Sequence, residues 1–211
     1  MTNRTAGVLA ALAALLLADV AGAQVCAGLP TGDGGFTLGG RRDFPEGTDS
    51  WGVEVSYNFA GPFSLFGGVD IFTENDFPGR EVFRGGVAAE LPGLLVSPTS
   101  GAPACAVVEV SLLDLDVLTI TEVPLGLGLG VDLSPASGVS LLPYVVPQLV
   151  LTDLNYDSGA LPQFQDETQF DFGVRGGVLV AFGKLYLGGE VRHVFGAADP
   201  AFGIRVGIRR L

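Results

Sequence analysis

Apolar and polar residues alternate along many segments of this chain, and the clearest of them runs from Trp51 to Pro62 (WGVEVSYNFAGP). In an extended chain this alternation places apolar side chains on one face and small or polar ones on the other, which predicts a β-strand. One face carries Trp51, Val53, Val55, Tyr57 and Phe59, and the other carries Gly52, Glu54, Ser56, Asn58 and Ala60. The apolar face would meet the core in a soluble sandwich and lipid in a membrane barrel.

Ten segments have this strand character and predict an all-β protein of about ten antiparallel strands. They span residues 34–42, 51–60, 63–73, 80–91, 104–113, 117–131, 139–153, 168–181, 184–195 and 200–211. Tight turns are expected at Gly61–Pro62 and Phe182–Gly183, whereas Asn155–Glu167 is long and acidic. Short turns at one rim and longer loops at the other are typical of an outer-membrane barrel. The long segment Pro92–Pro103, rich in proline, glycine and serine, is the exception because it falls on the short-turn side.

Three further segments show the same two faces, and their apolar residues are expected to face lipid. These are Val123, Leu125, Leu127, Leu129 and Val131; Phe170, Phe172, Val174, Gly176, Val178, Val180 and Phe182; and Phe202, Ile204, Val206 and Ile208. The opposite faces carry charges of both signs among small residues, which leave room for long side chains in a narrow lumen. The predicted lumen charge network comprises Glu54, Asp70, Arg84, Glu90, Glu109, Glu122, Asp171, Arg175, Glu190, Arg192, Arg205 and Arg209, with Arg41 beside them.

Composition favours the membrane barrel over the soluble sandwich. The 211 residues are 48% hydrophobic, and the mean hydropathy is +0.46. Beyond the N-terminus no apolar run is long enough for a helical span, so apolar residues spread one in two along strands explain this value. A soluble lipid-binding barrel stays open as an alternative.

The net charge of −12 argues against a nucleic-acid partner, because a phosphate-binding surface needs basic residues. The excess acid is assigned to connections on the extracellular rim. It comprises Asp43, Glu46, Asp49, Glu74, Asp76, Asp114, Asp116, Asp153, Asp157, Asp166, Glu167 and Asp199. Such a rim is expected to border outer-membrane lipid and lipopolysaccharide, with divalent cations as possible bridging ions. No segment has the residue spacing of a dedicated calcium loop, and no metal site is assigned.

The N-terminus predicts a secretory signal peptide over residues 1–23, followed by a single barrel domain over 24–211. Arg4 precedes the apolar run Ala6–Leu17, and Ala21-Gly-Ala23 is a small-residue cleavage site. An uncleaved anchor is the alternative. In an oxidising compartment Cys26 and Cys105 are expected to form a disulfide. Acylation of Cys26 is disfavoured because the residues just before it are not small.

With these features the sequence resembles the small outer-membrane β-barrel proteins, the group that includes OmpA and OmpX. The resemblance covers the mature chain and rests on the signal peptide, WGVEVSYNFAGP, the strands VFRGGVAAEL and FGVRGGVLVAFG, and the last strand FGIRVGIRRL. It implies a transmembrane antiparallel up-and-down β-barrel in the outer membrane of a Gram-negative cell, with eight strands as the alternative to ten. The chain ends Arg209-Arg210-Leu211, where family members commonly end in an aromatic residue.

Two candidate catalytic or binding features are weaker than their ordinary explanations. The only histidine, His193, could act with Ser158 and Asp199, yet its position in the alternation places it on the lipid face beside Phe195. The glycine run at 126–130 lacks the following helix and the lysine of a phosphate-binding loop. We therefore expect no enzymatic activity and no cofactor.

The sequence thus predicts an integral outer-membrane barrel with a structural or surface-interaction role and a lumen closed by the charge network. A narrow channel for small solutes is the alternative, since the same residues would line it. A lipid-modifying enzyme or a protease is a more remote alternative because it depends on His193 alone.

Overall fold

The structure is a computed structural model, which describes residues 24–26, 29–31, 35–44, 48–59, 62–74, 77–91, 104–131, 133, 138–159, 163–196 and 200–209. The predicted signal peptide and the predicted segment Pro92–Pro103 lie outside these residues. Within them, no helix has the length and apolar character needed to cross a bilayer.

Twelve strands are present in the described part of the chain. They are β1 (Gln24–Cys26), β2 (Leu29–Thr31), β3 (Gly35–Phe44), β4 (Thr48–Asn58), β5 (Phe63–Glu74), β6 (Phe77–Leu91), β7 (Ala104–Asp114), β8 (Leu118–Gly130), β9 (Val139–Tyr156), β10 (Glu167–Phe182), β11 (Leu185–Val194) and β12 (Ala201–Arg209). Strands β3 to β12 correspond to the ten predicted segments, so the predicted strand number is confirmed and the eight-strand alternative is wrong.

Strands β3 to β12 form one closed antiparallel barrel in which each strand pairs with its neighbours in sequence. The barrel closes through β12 and β3, where Arg205 lies opposite Arg41. Closure leaves no free sheet edge, so the backbone groups of the strands are paired without water. Strands β1 and β2 form a separate small hairpin that was not predicted, and β1 contacts β7, β8 and β9.

The two faces of the barrel differ as the alternation predicted. Large apolar side chains are exposed on the outer surface, as shown by Trp51 at 53% and Phe170 at 66% of their full exposure, whereas Glu54 and Arg175 are buried inside. The apolar face of the opening segment is therefore the outer one, which resolves the choice that the alternation left open. Val131 was expected to face outward, and this was wrong: it lies just beyond the end of β8 and is 4% exposed.

The predicted difference in loop length between the two rims was also wrong. We call the end where β3 begins and β12 ends the near rim, and the opposite end the distal rim. Distal connections span 45–47, 75–76, 115–117, 157–166 and 195–200, and near-rim connections span 59–62, 92–103, 131–138 and 183–184. The distal loops are short because the strands extend into the acidic segments, so that Asp43, Asp114 and Asp153 belong to strands. The strands continue beyond the last apolar residues of the alternating pattern, because unpaired backbone groups are costly wherever water is scarce.

The strands are strongly staggered around the barrel. Directly paired residues trace a path around the barrel. Starting at Gly52 on β4 and passing through β5, β6, β7, β8 and β9, this path reaches β10 at Glu167. In the opposite direction, through Arg41 on β3 and then β12 and β11, it reaches β10 at Leu179. The two positions are 12 residues apart on one strand. This stagger tilts the strands and brings inward side chains from distant strands to the same height.

Candidate functional site

Apolar side chains fill one side of the near-rim half of the lumen, whereas the buried inward residues Thr37, Ser56 and Ser64 on β3, β4 and β5 make the other side polar. We call the buried apolar group the near-rim core; its members are Ala88, Cys105, Val107, Leu142, Tyr144, Val146, Leu179, Ala181 and Tyr186, with Phe66 packed against them. Leu142 and Leu179 are directly paired on β9 and β10 and are 0% and 1% exposed. Because these positions point inward, apolar side chains here pack across the lumen and not against lipid.

Above the near-rim core, a chain of ion pairs crosses the lumen. The Arg84 guanidinium donates hydrogen bonds to both carboxylate oxygens of Asp70, with Nη2 at 3.0 Å from Oδ1. Its Nη1 also lies 3.6 Å from Glu109 Oε1, and Arg175 Nη1 donates to Glu109 Oε2 at 3.0 Å. The side chains of Glu109 and Arg175 are each only 8% exposed. Buried charges of this kind are tolerated when each has a close partner of opposite sign.

A second group of ion pairs centres on Arg205. Its guanidinium donates to Glu190 Oε1 at 3.1 Å and lies 3.8 Å from Glu54 Oε2. The Tyr144 hydroxyl donates to the other oxygen of Glu190, which joins this group to the near-rim core. Together with Arg41, Asp43, Glu122 and Arg192, the residues of these two groups form what we call the lumen network.

Glycines make room for these long side chains. Glu54 is paired with Gly39 and Gly68, and Glu190 is paired with Gly177 and Gly203. A glycine opposite a charged residue leaves space at the inner surface, whereas it would cost stability in an ordinary strand. A methyl group at Gly39 or Gly177 would collide with the Tyr186 or Tyr144 hydroxyl, and one at Gly203 would collide with the Asp43 carboxylate, so these glycines leave space for inward polar side chains.

The distal half of the lumen opens into a cavity of about 560 Å³. Two further ion pairs lie in its wall, between Arg192 and Glu122 and between Arg41 and Asp43. Asp43 had been assigned to a loop, but it lies on β3 with its side chain 18% exposed. We call this space the distal cavity.

Of the remaining predicted lumen residues, Asp171 lines the distal cavity. Glu90 lies on β6 opposite Cys105 and has an interaction within the molecule. Arg209 ends β12 opposite Thr37, and its side chain lies outside the described part. The structure thus brings nine of the predicted residues into ion pairs: Glu54, Asp70, Arg84, Glu109, Glu122, Arg175, Glu190, Arg192 and Arg205.

Two tyrosines of the lumen were missed by the sequence reasoning. Tyr144 and Tyr186 are 4% and 2% exposed and occupy inward positions of β9 and β11. The alternation of the strands could have revealed them. Tyr144 lies four residues from Gln148 and Tyr186 lies four residues from Glu190, so each tyrosine is on the same face as a polar inward residue.

The outer surface carries an ion pair of its own at the distal rim. Arg42 donates two hydrogen bonds to Asp49, at 3.1 Å and 2.6 Å. A second exposed pair at this rim, Arg80–Asp116, lies on the inner side, because Arg80 is directly opposite Phe72, which lines the distal cavity.

His193 lies on the outer face of β11, opposite Val174. Its ring contacts Phe195 edge to face at 4.9 Å, and Phe195 stacks on Phe172 at 5.8 Å. This is the aromatic position that the sequence indicated, and Asp199 lies outside the described residues. Nor is there, in the described part of the chain, a group of three or more His, Cys, Asp or Glu side chains placed to hold a metal ion.

The predicted disulfide remains a prediction. Cys105 is 3% exposed in the near-rim core, and the strand that ends at Cys26 contacts β7, where Cys105 lies. The side chain of Cys26 lies outside the described residues. The backbone contact between β1 and β7 is the observation that supports the pair.

A closed antiparallel barrel with an apolar outer face and a charged inner face has the architecture of transmembrane β-barrels. No family model and no curated protein matches the sequence. Among solved structures, the chain is similar to LpxR from Salmonella typhimurium, with 9% identity over 76% of this chain and 72% of that one and a TM-score of 0.43. It is similar to the β domain of the Bordetella autotransporter BrkA, with 15% identity over 84% and 99% and a TM-score of 0.42. It is also similar to the N-terminal barrel domain of Pseudomonas aeruginosa OprF, with 12% identity over 84% of this chain and 99% of that one and a TM-score of 0.38.

Proposed function

We propose that this protein is an integral outer-membrane barrel that does not conduct ions and acts at the cell surface, in a structural or interaction role. In this proposal residues 1–23 are removed on export, the near rim faces the periplasm and the distal rim faces the exterior. The outward ion pair Arg42–Asp49 supports that orientation, because it suits the headgroup layer of outer-membrane lipid and lipopolysaccharide. Divalent cations at the distal acidic residues are part of the same proposal.

The observation that carries the proposal is the near-rim core. A water path through the near-rim half would have to pass between this core and the hydrogen-bonded pair Thr37–Ser56, and both sides are buried: Leu142, Leu179, Thr37 and Ser56 are at most 4% exposed. Ions do not cross a packed apolar layer without a large desolvation cost. The lumen network lies above this layer, so apolar packing and paired charges would act together in closing the barrel.

Single-channel recording of the refolded protein in a planar bilayer tests the proposal. A heat-shifted band on an electrophoretic gel first shows that the protein is folded. We expect a silent bilayer for the natural sequence and discrete current steps for the double variant Leu142→Gly, Leu179→Gly, which removes two paired side chains of the near-rim core. The matched control is Leu149→Gly, Leu187→Gly, which removes two outward side chains from β9 and β11 and should stay silent. Stable steps from the natural sequence would contradict the proposal.

A narrow channel is the second candidate, favoured by the open distal cavity of about 560 Å³. The five arginines and seven carboxylates of the lumen would line it, so a weak ion selectivity that favours cations is expected. Conductance of the natural sequence would establish this candidate.

We propose no catalytic role. His193 contacts Phe195 on the outer face and lies away from the lumen network. Replacement of His193 by glutamine should leave any lipid or peptide hydrolysis by the purified protein unchanged, and a loss of such activity would reverse this part of the proposal.

A further inference from the structure

The distal cavity contains one acidic side chain that the arginines do not neutralise. Five acidic residues in its wall each have an arginine partner: Asp43 with Arg41, Asp70 with Arg84, Glu109 with Arg175, Glu122 with Arg192, and Glu190 with Arg205. Asp171 lines the same cavity, and within the described residues its carboxylate forms no ion pair with any arginine or lysine. Every arginine of the lumen network is already engaged by another carboxylate. Within the described residues, the negative charge of Asp171 in this cavity is therefore not balanced by a paired positive side chain.

The carboxylate of Asp171 has polar neighbours that suit a cationic group. Gln169 and Thr152 are directly paired on β10 and β9, one inward position distal to Asp171, and both line the cavity. The amide nitrogen of Gln169 donates to Glu167 at 3.0 Å, which leaves its carbonyl oxygen available as an acceptor. An ammonium group has three donors and no acceptor, so it matches this set of oxygens.

One side of the same cavity is apolar although it faces the lumen. Val82, Leu113, Ile120 and Leu154 are directly paired on the successive strands β6, β7, β8 and β9, and all four line the cavity. Their inward positions would ordinarily be polar next to water, since exposed apolar area is unfavourable. We call this row the apolar wall. A cavity with an unpaired carboxylate and an apolar wall has the two surfaces of a site for an amphiphilic ligand.

We propose that the distal cavity binds a small organic cation with an apolar body, such as an arylalkyl ammonium compound. The ammonium group would lie at Asp171, and the apolar body would lie against the apolar wall. The cavity volume of about 560 Å³ falls within the range of sites for small molecules. A hydrated metal ion fits less well, because Asp171 would be its single unpaired carboxylate ligand and the apolar wall would not interact favourably with it. The inference rests on the proposed function, in which the cavity is reached from the distal rim alone.

Titration calorimetry on the folded protein in phosphatidylcholine nanodiscs tests the inference with three probes of similar shape. They are 2-phenylethylammonium, the neutral 2-phenylethanol and the anionic phenylacetate. We expect the ammonium probe to bind about tenfold more tightly than the alcohol, because only the ammonium meets the charge of Asp171. Phenylacetate is expected to bind more weakly still. Equal binding of all three probes would overturn the inference.

Two variants and a matched control separate the charge from the wall. Asp171→Asn should weaken the ammonium probe about tenfold and leave the alcohol unchanged. Ile120→Thr keeps every charge and should weaken both the ammonium probe and the alcohol. Asp157→Asn removes an exposed acid at the same rim and should change neither. If Asp171→Asn fails to show the heat-shifted band, the comparison of probes and the Ile120 variant carry the test.

Other outcomes are equally decisive. Calcium binding that is lost in Asp171→Asn and competes with the ammonium probe would mean a metal site and would overturn the inference. A silent bilayer combined with no probe binding would overturn the inference and leave the proposed function standing. Current steps combined with binding that depends on Asp171 would overturn the proposed function and leave the binding site for an organic cation standing.

Discussion

At the residue scale, the partners of the lumen charges lie far apart in sequence. Glu109 and Arg175 are separated by 66 positions, yet they form a buried ion pair at 3.0 Å. The alternation in the sequence predicted that both side chains lie on the inner face, because the face of a residue in a strand depends only on its position in the local alternation. It did not predict that they meet, because their heights depend on the stagger of all the strands between them. Asp43 was missed for a related reason: an acid just past an apolar stretch resembles a loop residue until the strand is seen to continue.

Replacing Arg175 with methionine should lower the free energy of unfolding by about 3 kcal/mol, because Glu109 would stay buried beside a neutral side chain. Urea titration of the protein in lipid vesicles measures this, with the fluorescence of Trp51 as the signal, since it is the sole tryptophan and faces outward. The double variant Glu109→Leu, Arg175→Met removes both charges and should recover much of the loss. Arg42→Gln breaks an exposed pair and should cost less than about 1 kcal/mol. Equal losses for Arg175→Met and Arg42→Gln would contradict the expectation.

At the element scale, β9 and β10 show where the alternation of the sequence loses its meaning. Most strands have one apolar face and one polar face, so their orientation was predicted correctly. In β9, however, Leu141 and Leu149 face outward while Leu142 and Val150 face inward, so both faces are apolar. Hydrophobicity cannot distinguish a side chain that packs in the lumen from one that meets lipid, because both environments exclude water. The near-rim core was hidden from the sequence for this reason.

The adjacent strands β10 and β11 offer a matched pair of glycines. A methyl group at Gly177 would collide with the backbone of β11 and approach the Tyr144 hydroxyl, whereas a methyl group at Gly189 would meet nothing within 4 Å. Gly177→Ala should therefore destabilise the barrel or shift its strands, since backbone cannot move aside as a flexible side chain can. Gly189→Ala should be tolerated. The heat-shifted gel band and its melting temperature measure both, and equal behaviour of the two variants would contradict this account of the inner surface.

At the scale of the whole molecule, ion pairs lie in the distal half of the barrel, and the near-rim half holds an apolar core beside the buried polar residues Thr37, Ser56 and Ser64. Strand β1 of the N-terminal hairpin contacts β7, β8 and β9, and β7 is the strand that holds Cys105. The sequence predicted that Cys26 and Cys105 lie at the same rim, and this stays a prediction. The hairpin itself was not predicted, since three-residue strands leave too short a pattern to detect.

The predicted disulfide would fix this hairpin to the barrel. After unfolding in urea without reductant, alkylation with iodoacetamide should add no mass, because neither Cys26 nor Cys105 would carry a free thiol. After reduction, two alkyl groups should be added. Alkylation of the unreduced chain would show that the disulfide is absent and that backbone contacts alone hold β1.

The pairing of β12 with β3 also has a consequence for how the chain reaches its folded state. These strands are nearly the full length of the barrel sequence apart, yet they close it. Loop closure over such a distance is slow, and until it occurs both outer strands present unpaired backbone edges. Folding strand by strand during synthesis would therefore produce an open, association-prone sheet. Association is therefore best avoided when the strands pair only after β12 is available to close the barrel against β3.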